Sequence, residues 1–121
     1  MMASATERFD CWDRVMAFAL ALPGAEASTS YGAPTVRIRG KPIVYPGRER
    51  GSFAISSPLI EKELLMETDP ETFWETEHYR GWPAVLVRYG SVDRDRIEMV
   101  IMRAWWDRAS KAQRSDYGPR P

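Results

Sequence analysis

Three short apolar runs separated by turns occur within residues 35–55, TVRIRGKPIVYPGRERGSFAI. In the first run, Val36 and Ile38 alternate with two arginines, which is the pattern of a strand with one wet face. Turns that contain glycine separate this run from the next two, at residues 43–45 and 52–55. Connections this short join antiparallel neighbours, so the stretch predicts a three-stranded antiparallel meander.

Helical patterns lie on both sides of the meander. Apolar residues recur at helical spacing across residues 7–22, and Pro23-Gly24 ends that helix. A second helix is predicted with Ser57 at the cap and Pro58 at its first position, and a third covers residues 93–111. Between them, Phe and Trp at positions 73 and 74 allow a short strand, and residues 83–89, PAVLVRY, predict the strongest strand. The order α-β(3)-α-β(2)-α favours an α+β two-layer sandwich, with helices packed on an antiparallel sheet.

The chain of 121 residues has the size of one domain. We expect this domain to span residues 1–114, because residues 115–121 are polar, contain two prolines and predict a loose tail. The single cysteine, Cys11, excludes an internal disulfide. No apolar stretch approaches the ~20 residues of a spanning helix. A cytoplasmic protein with no membrane partner is therefore expected.

Several common chemistries lack their residue sets in this sequence. One His and one Cys are too few for a zinc site of the usual nitrogen and sulfur type, and the acidic run at 61–77 has no EF-hand spacing. The sequence contains neither a nucleophile elbow nor a phosphate-binding glycine loop. We therefore expect no metal, no cofactor and no catalytic residue, and we predict a protein that is not an enzyme.

Five segments form an ordered set: LALPGAE at 20–26, YG-x-P at 31–34, VRIRGK at 36–41, DPETF at 69–73 and HYRGWPAVLVR at 78–88. Together with Ala104-Trp105 in the last helix, they resemble the MmcQ/YjbR family of small bacterial proteins over about residues 9–112. The resemblance implies an antiparallel sheet with helices packed on it, similar to the fold of secretion chaperones. It also implies DNA binding through a double-wing surface of strands and loops, and it brings no catalytic residues.

Charge is unevenly distributed along the chain, although the net charge is zero. Residues 35–51 hold five cations against one carboxylate, and residues 52–77 hold seven carboxylates against one cation. Cations clustered on strands and turns suit phosphate binding, so nucleic acid is the first predicted partner. The competing interpretation is an ordinary solvated sheet face whose cations pair with Glu61, Glu63 and Glu67. The candidate nucleic-acid-binding residues are Arg37, Arg39, Lys41, Arg48, Arg50 and Arg80.

The segment at residues 78–83, HYRGWP, supports a second hypothesis. His78 is the one histidine of the chain, and Tyr79 and Trp82 are aromatic residues of the kind common at binding sites. Together they predict a pocket for a small ligand or a protein partner. The competing interpretation is structural, with His78 and Tyr79 bracing the loop that enters the strand at 84–89. A monomer or a weak homodimer fits either hypothesis.

Overall fold

A six-stranded antiparallel sheet forms one layer of the structure, a computed structural model that describes residues 8–121. The strands are β1 (Ala25–Ser30), β2 (Ala33–Ile38), β3 (Lys41–Pro46), β4 (Ser52–Ser56), β5 (Phe73–Trp74) and β6 (Ala84–Arg88). Their order in space is β1-β2-β3-β4-β6-β5, and every neighbouring pair is antiparallel. The predicted α+β class and the antiparallel sheet are confirmed.

The second layer is helical. The α-helices of the described residues are α1 (Trp12–Leu20), α2 (Leu59–Thr68), α3 (Arg94–Arg108) and α4 (Lys111–Tyr117), and a 3₁₀ helix spans Glu77–Tyr79. The first of them packs on β1, β2 and β3, the second on β5 and β6, and the third on β3 and β4. Residue 7, the predicted start of the first helix, lies outside the described residues, but the helix begins only at Trp12, because the backbone of Cys11 is extended, and it ends at Leu20 instead of the predicted residue 22. Over residues 8–121, no helix combines the length and the apolar character that crossing a membrane requires.

The helical layer covers one face of the sheet. Val44, Ile55 and Val85 are cross-strand neighbours on three successive strands, and all three are fully buried in the main core. Trp105 of α3 belongs to the same core, and its indole N–H donates to the Pro23 carbonyl over 2.8 Å. Burying an aliphatic side chain such as that of Val44 or Ile55 contributes about 1.5–3 kcal/mol. The hydrogen bond satisfies the one polar atom that the indole brings into the core.

The opposite face of the sheet carries a smaller apolar cluster. Ala54 and Leu86 are cross-strand partners on β4 and β6, and the partly buried rings of Tyr45 and Trp74 pack against them. Tyr79, from the 3₁₀ helix, belongs to this cluster and is itself buried. Side chains alternate between the two faces along a strand, so these residues point away from the helices. The loop between β5 and β6 therefore shields part of this face from solvent.

A β-bulge interrupts the pairing of β2 with β3. The register changes from Val36 paired with Val44 to Arg37 paired with Pro42, so Ile43 has no partner on β2. Ile43 and Val44 are nevertheless both fully buried in the main core. A bulge allows this because it locally breaks the strict alternation of the strand. Pro42 lies at the break, where its missing amide hydrogen removes a ladder donor.

The first strand is not predicted from the sequence. Ala25–Ser30, AEASTS, has neither an apolar alternation nor the β-branched content of a typical strand. It pairs with β2 over six residues at the edge of the sheet. Four strands therefore precede α2, whereas the sequence predicts three. The first strand escapes prediction because an edge strand gains its main stabilisation from backbone pairing with its neighbour, which leaves no apolar pattern in its own sequence.

The end of the chain also differs from the prediction of a loose tail at residues 115–121. The third predicted helix, residues 93–111, ends at Arg108 because Ala109 is extended, and α4 follows with a capping box between Ser110 and Gln113. The ring of Tyr117 packs edge-on against Trp105, with 5.4 Å between the centroids. Side-chain contacts therefore hold the tail on α3, a feature that the polar composition of the tail does not reveal.

Candidate functional site

The predicted cations lie at two ends of the sheet and not in one cluster. Arg39 and Lys41 flank the turn between β2 and β3, whereas Arg48 and Arg50 lie in the turn between β3 and β4. β3 separates the two turns with six residues, which span roughly 20 Å at about 3.3 Å per residue. The structure therefore divides the candidate set into two groups that face different solvent regions.

Arg37 joins strands to one another. Its Nε donates to the Ser28 hydroxyl over 3.2 Å, and its terminal nitrogens donate to the carbonyls of Thr29 (3.2 Å) and Gly40 (2.9 Å). Every nitrogen of the guanidinium thus has a partner within the sheet. We assign Arg37 to the bracing of the edge strand β1, and not to partner binding.

Four other candidate cations are exposed and have no carboxylate within 4.0 Å in the described part of the chain. The α2 acid that forms salt bridges, Glu61, does so with Arg103 and Arg120 on the helical side. Arg80 differs from the four, because its guanidinium lies 3.6 Å from the Glu77 carboxylate. Acids of α2 therefore do not neutralise the sheet turns. The four cations are Arg39, Lys41, Arg48 and Arg50.

An exposed aromatic ring lies at the same end of the sheet as the β3–β4 turn. Tyr31 is fully exposed at the tip of the β1–β2 hairpin, where it and Gly32 have φ values of 52° and 81°. Positive φ at both central positions favours Asn and Gly, and it strains a bulky residue. Adjacent hairpins are two strand spacings apart, about 10 Å. The hairpin that carries the ring is therefore the neighbour, at this end of the sheet, of the turn that carries Arg48 and Arg50.

Arg88 adds a third cation to this end. It is the last residue of β6 and the cross-strand partner of Ser52, two residues after Arg50. Its guanidinium lies over the Trp74 ring, 4.4 Å from the centroid, and the residue remains exposed. A cation–π contact positions the charge without neutralising it. We call the set formed by Tyr31, Arg48, Arg50 and Arg88 the turn edge.

The rings of His78, Tyr79 and Trp82 pack on one another. The ring centroid of His78 lies 5.0 Å from that of Tyr79 and 5.4 Å from that of Trp82. The Tyr79 hydroxyl accepts a hydrogen bond from the Arg48 amide over 3.1 Å, and His78 Nδ1 lies 3.2 Å from the Arg48 guanidinium. The three rings thus contact one another and the turn that carries Arg48, and these contacts match the loop-bracing interpretation.

A buried lysine that the sequence does not single out holds this loop. Lys62 of α2 is 1% exposed, and its Nζ donates to the carbonyls of Tyr79 (2.7 Å) and Trp82 (2.9 Å) and to the Glu75 carboxylate (2.8 Å). An ammonium has three protons, so all of its donors are used. Lysine is almost never fully buried unless it is paired. In sequence, Lys62 lies between Glu61 and Glu63, a pattern that is typical of a solvated helix face.

Two partly buried tyrosines keep their protons at neutral pH. Burial raises the pKa of Tyr45 to about 12, with a further rise from Tyr79 and an opposing effect of Arg108. Burial, together with Cys11, likewise raises the pKa of Tyr89 to about 12. Both phenols are therefore neutral at pH 7.

Among residues 8–121, no three His, Cys, Asp or Glu side chains come together as a possible metal site.

The fold and the site define a class: a small two-layer α+β domain in which one end of the sheet presents exposed cations and an aromatic ring. The sequence pattern of the YjbR family matches residues 20–106. This chain therefore belongs to the YjbR family, and the resemblance found in the sequence is confirmed.

Relatives extend this assignment. The uncharacterized proteins Rv2570 of Mycobacterium tuberculosis and Mb2600 of Mycobacterium bovis are each 36% identical to this chain over 50 residues. The match covers 41% of this chain and 39% of each relative, so the chain spans about two fifths of the length of these proteins. The crystal structure of Deinococcus radiodurans protein DR2400, a DUF419 domain, matches with a TM-score of 0.68 and 10% identity over 92% of this chain and 90% of that chain. At this identity the likeness shows the fold alone.

Proposed function

We propose that this protein binds nucleic acid through its turn edge and catalyses no reaction on it. The observation that carries the proposal is a combination at one end of the sheet: exposed cations that have no carboxylate partner among residues 8–121, and a fully exposed tyrosine. Arginines at this end supply phosphate contacts, and an aromatic ring supplies a platform on which an unpaired base stacks. Bases are free to stack in this way when they are unpaired, so single-stranded nucleic acid is the preferred ligand.

Conformational strain supports a binding role for Tyr31. A non-glycine residue with positive φ costs on the order of 1–3 kcal/mol. The ring gains no compensating burial, because it is fully exposed. Arg39, in the β2–β3 turn, has the same conformation (φ 51°), so strain supports a contact with a partner only together with the exposed ring, which Tyr31 alone of the two carries.

Arg39 and Lys41 are assigned no part in the same contact. They lie at the opposite end of β3, roughly 20 Å from the turn edge by strand length. This separation makes them a matched control pair, since they have the same charge as Arg48 and Arg50 and, like them, no carboxylate partner in the part of the chain that the structure describes.

Fluorescence anisotropy with a labelled single-stranded oligonucleotide tests the proposal. Three phosphate contacts predict that log K falls against log salt concentration with a slope of about −2 for a single strand. The R48Q and R50Q substitutions should each reduce the magnitude of this slope by about 0.7. Tyr31→Ala should weaken binding by about 1–3 kcal/mol, the value of one stacked base.

The double variant R39Q/K41Q should bind as the unchanged protein does. Absence of binding to both single strands and duplexes at low salt refutes the proposal. Equal losses in R39Q/K41Q and R48Q/R50Q would refute the assignment to the turn edge.

A further inference from the structure

Exposed apolar side chains concentrate on the outer surface of α2 and α3. Ile60 is 82% exposed and Leu64 is 56% exposed, one helical turn apart on α2, and Met99 of α3 is also exposed. Larger contiguous apolar patches on a protein surface mark sites of interaction. We define the α2–α3 face by Ile60, Glu63, Leu64, Glu67, Arg96 and Met99.

A shallow cleft runs along this face. It has a volume of about 230 Å³, and its walls include Leu64 and Leu65 of α2 and Met99 and Val100 of α3. Small-molecule sites usually enclose about 300–1,000 Å³. A cleft of this size accepts one or two protruding side chains, so the face suits contact with another protein surface.

Charge on the face is divided between the two helices. Glu63 and Glu67 of α2 are exposed, and neither takes part in a salt bridge within residues 8–121. Arg96 of α3 donates to the Thr68 hydroxyl over 2.6 Å and has no carboxylate partner in the same part of the chain. Acidic groups thus lie on one side of the apolar strip, and a cation lies on the other.

We infer that the α2–α3 face binds a second copy of this chain around a two-fold axis. A two-fold contact places α2 of each copy against α3 of the other, so Glu67 of one copy meets Arg96 of the second copy, twice. A partner of one charge sign would satisfy only one side of the strip and would be repelled by the other. Two copies with zero net charge also approach without long-range repulsion.

Sedimentation equilibrium of the full chain over a range of concentrations tests this inference. The mean mass should rise with concentration from one chain to two. Ile60→Lys with Leu64→Lys should weaken association by about a hundredfold or more, since each apolar contact is lost on both copies. Tyr31→Lys, at a fully exposed aromatic position outside the face, should leave association unchanged.

Charge reversal gives a second, independent measurement. Glu67→Lys and Arg96→Glu should each weaken association severalfold, and the double variant E67K/R96E should recover it, because both signs exchange together. Glu71→Lys, an exposed acid outside the face, is the control for added charge. Thermal unfolding of each variant establishes that it is folded.

Three results overturn the inference. The unchanged protein remains a single chain at the highest concentration, as it would if another protein covered this face. The I60K/L64K variant dimerises as well as the unchanged protein, which places the interface elsewhere. The double variant E67K/R96E associates no better than the single variants, which excludes the two-fold pairing of these residues.

Discussion

Replacing Lys62 with methionine removes the buried ammonium that joins α2 to the β5–β6 loop. Methionine keeps the unbranched apolar stem and lacks the three donors. The substitution leaves the carbonyls of Tyr79 and Trp82 and the carboxylate of Glu75 without the partners that lie 2.7–2.9 Å away. The loop then loses its attachment to the helix.

The expected loss in the free energy of unfolding is about 3–4 kcal/mol. Removing one partner of a buried ion pair costs about 3–5 kcal/mol, because the remaining charge stays poorly solvated. Glu75 has a side chain that is 26% exposed, so water partly solvates its carboxylate and the loss falls in the lower part of that range. The Trp82 carbonyl prevents a much smaller value, since an unsatisfied buried acceptor costs about 1–3 kcal/mol, whereas the Tyr79 carbonyl still accepts from the Trp82 amide.

Urea unfolding of Lys62→Met measures this loss, with Lys111→Met at an exposed position as the matched control. Hydrogen exchange provides a local readout, because the Trp82 amide donates to the Tyr79 carbonyl over 3.0 Å and should lose protection. The double variant K62M/E75M should recover part of the loss, since no unpaired carboxylate remains. A loss below about 1 kcal/mol, equal to that of Lys111→Met, would refute the reasoning.

Stability should fall as the pH rises from 10 to 12, because unfolded tyrosine ionises near pH 10 whereas the pKa of folded Tyr45 and that of Tyr89 are about 12. Each phenol lowers the free energy of unfolding by at most about 1.4 kcal/mol per pH unit, and by less because it is partly exposed. Tyr45→Phe should therefore reduce the slope of the free energy of unfolding, measured in urea, against pH. An unchanged slope would contradict this prediction. Arg120→Ala should cost about 1 kcal/mol through lost pairing with Glu61 and Asp107, and the loss should shrink at high salt. A loss that does not depend on salt would contradict the electrostatic account.

The parts of the fold that rest on apolar periodicity are predictable from the sequence. Residues 35–38 alternate and residues 84–87 are continuously apolar, and both patterns correspond to strands in the structure. The helix Arg94–Arg108 follows from its Asp93 cap and its apolar spacing, whereas Leu59–Thr68 begins one residue later than predicted, with Pro58 at its N-cap. In the two strands and in Arg94–Arg108 the signal is local, because the residues that specify the element also form its buried face. In Leu59–Thr68 this relation fails, since Leu59 and Leu64 are exposed and Lys62 is buried.

Elements specified by distant contacts are not predictable in this way. The strand β1 has no pattern of its own and depends on backbone pairing with β2 and on Arg37, which bonds to Ser28 and Thr29. Lys62 likewise takes its role from carbonyls 17 and 20 residues away in the sequence. The helix α4 is an intermediate case: its capping box, Ser110 with Gln113, is readable in the sequence and marks a new helix start.

The different roles of the candidate cations also depend on contacts that the sequence does not show. The sequence pattern around an arginine on a strand is the same whether its guanidinium contacts a carbonyl, a carboxylate or solvent. The structure separates these cases, since Arg37 bonds within the sheet, Arg80 lies near Glu77, and Arg50 has no carboxylate partner in the described residues. A cation without a partner contributes little to folding, so its removal changes stability by less than about 0.5 kcal/mol.

The difference between paired and unpaired cations explains how a chain of zero net charge can still attract an anion locally. On the helical side, Arg120 pairs with Glu61 and Asp107, and paired charges produce only a short-range field. At the turn edge the positive charges are not cancelled by carboxylates in contact with them, so a phosphate close to the turns experiences mainly those charges. Screening over about 10 Å at 0.1 M salt limits the attraction to groups near the edge. Neutralising Arg48 and Arg50 should therefore reduce nucleic-acid binding, while neutralising Arg120 should reduce stability, and the two losses should not coincide in one variant.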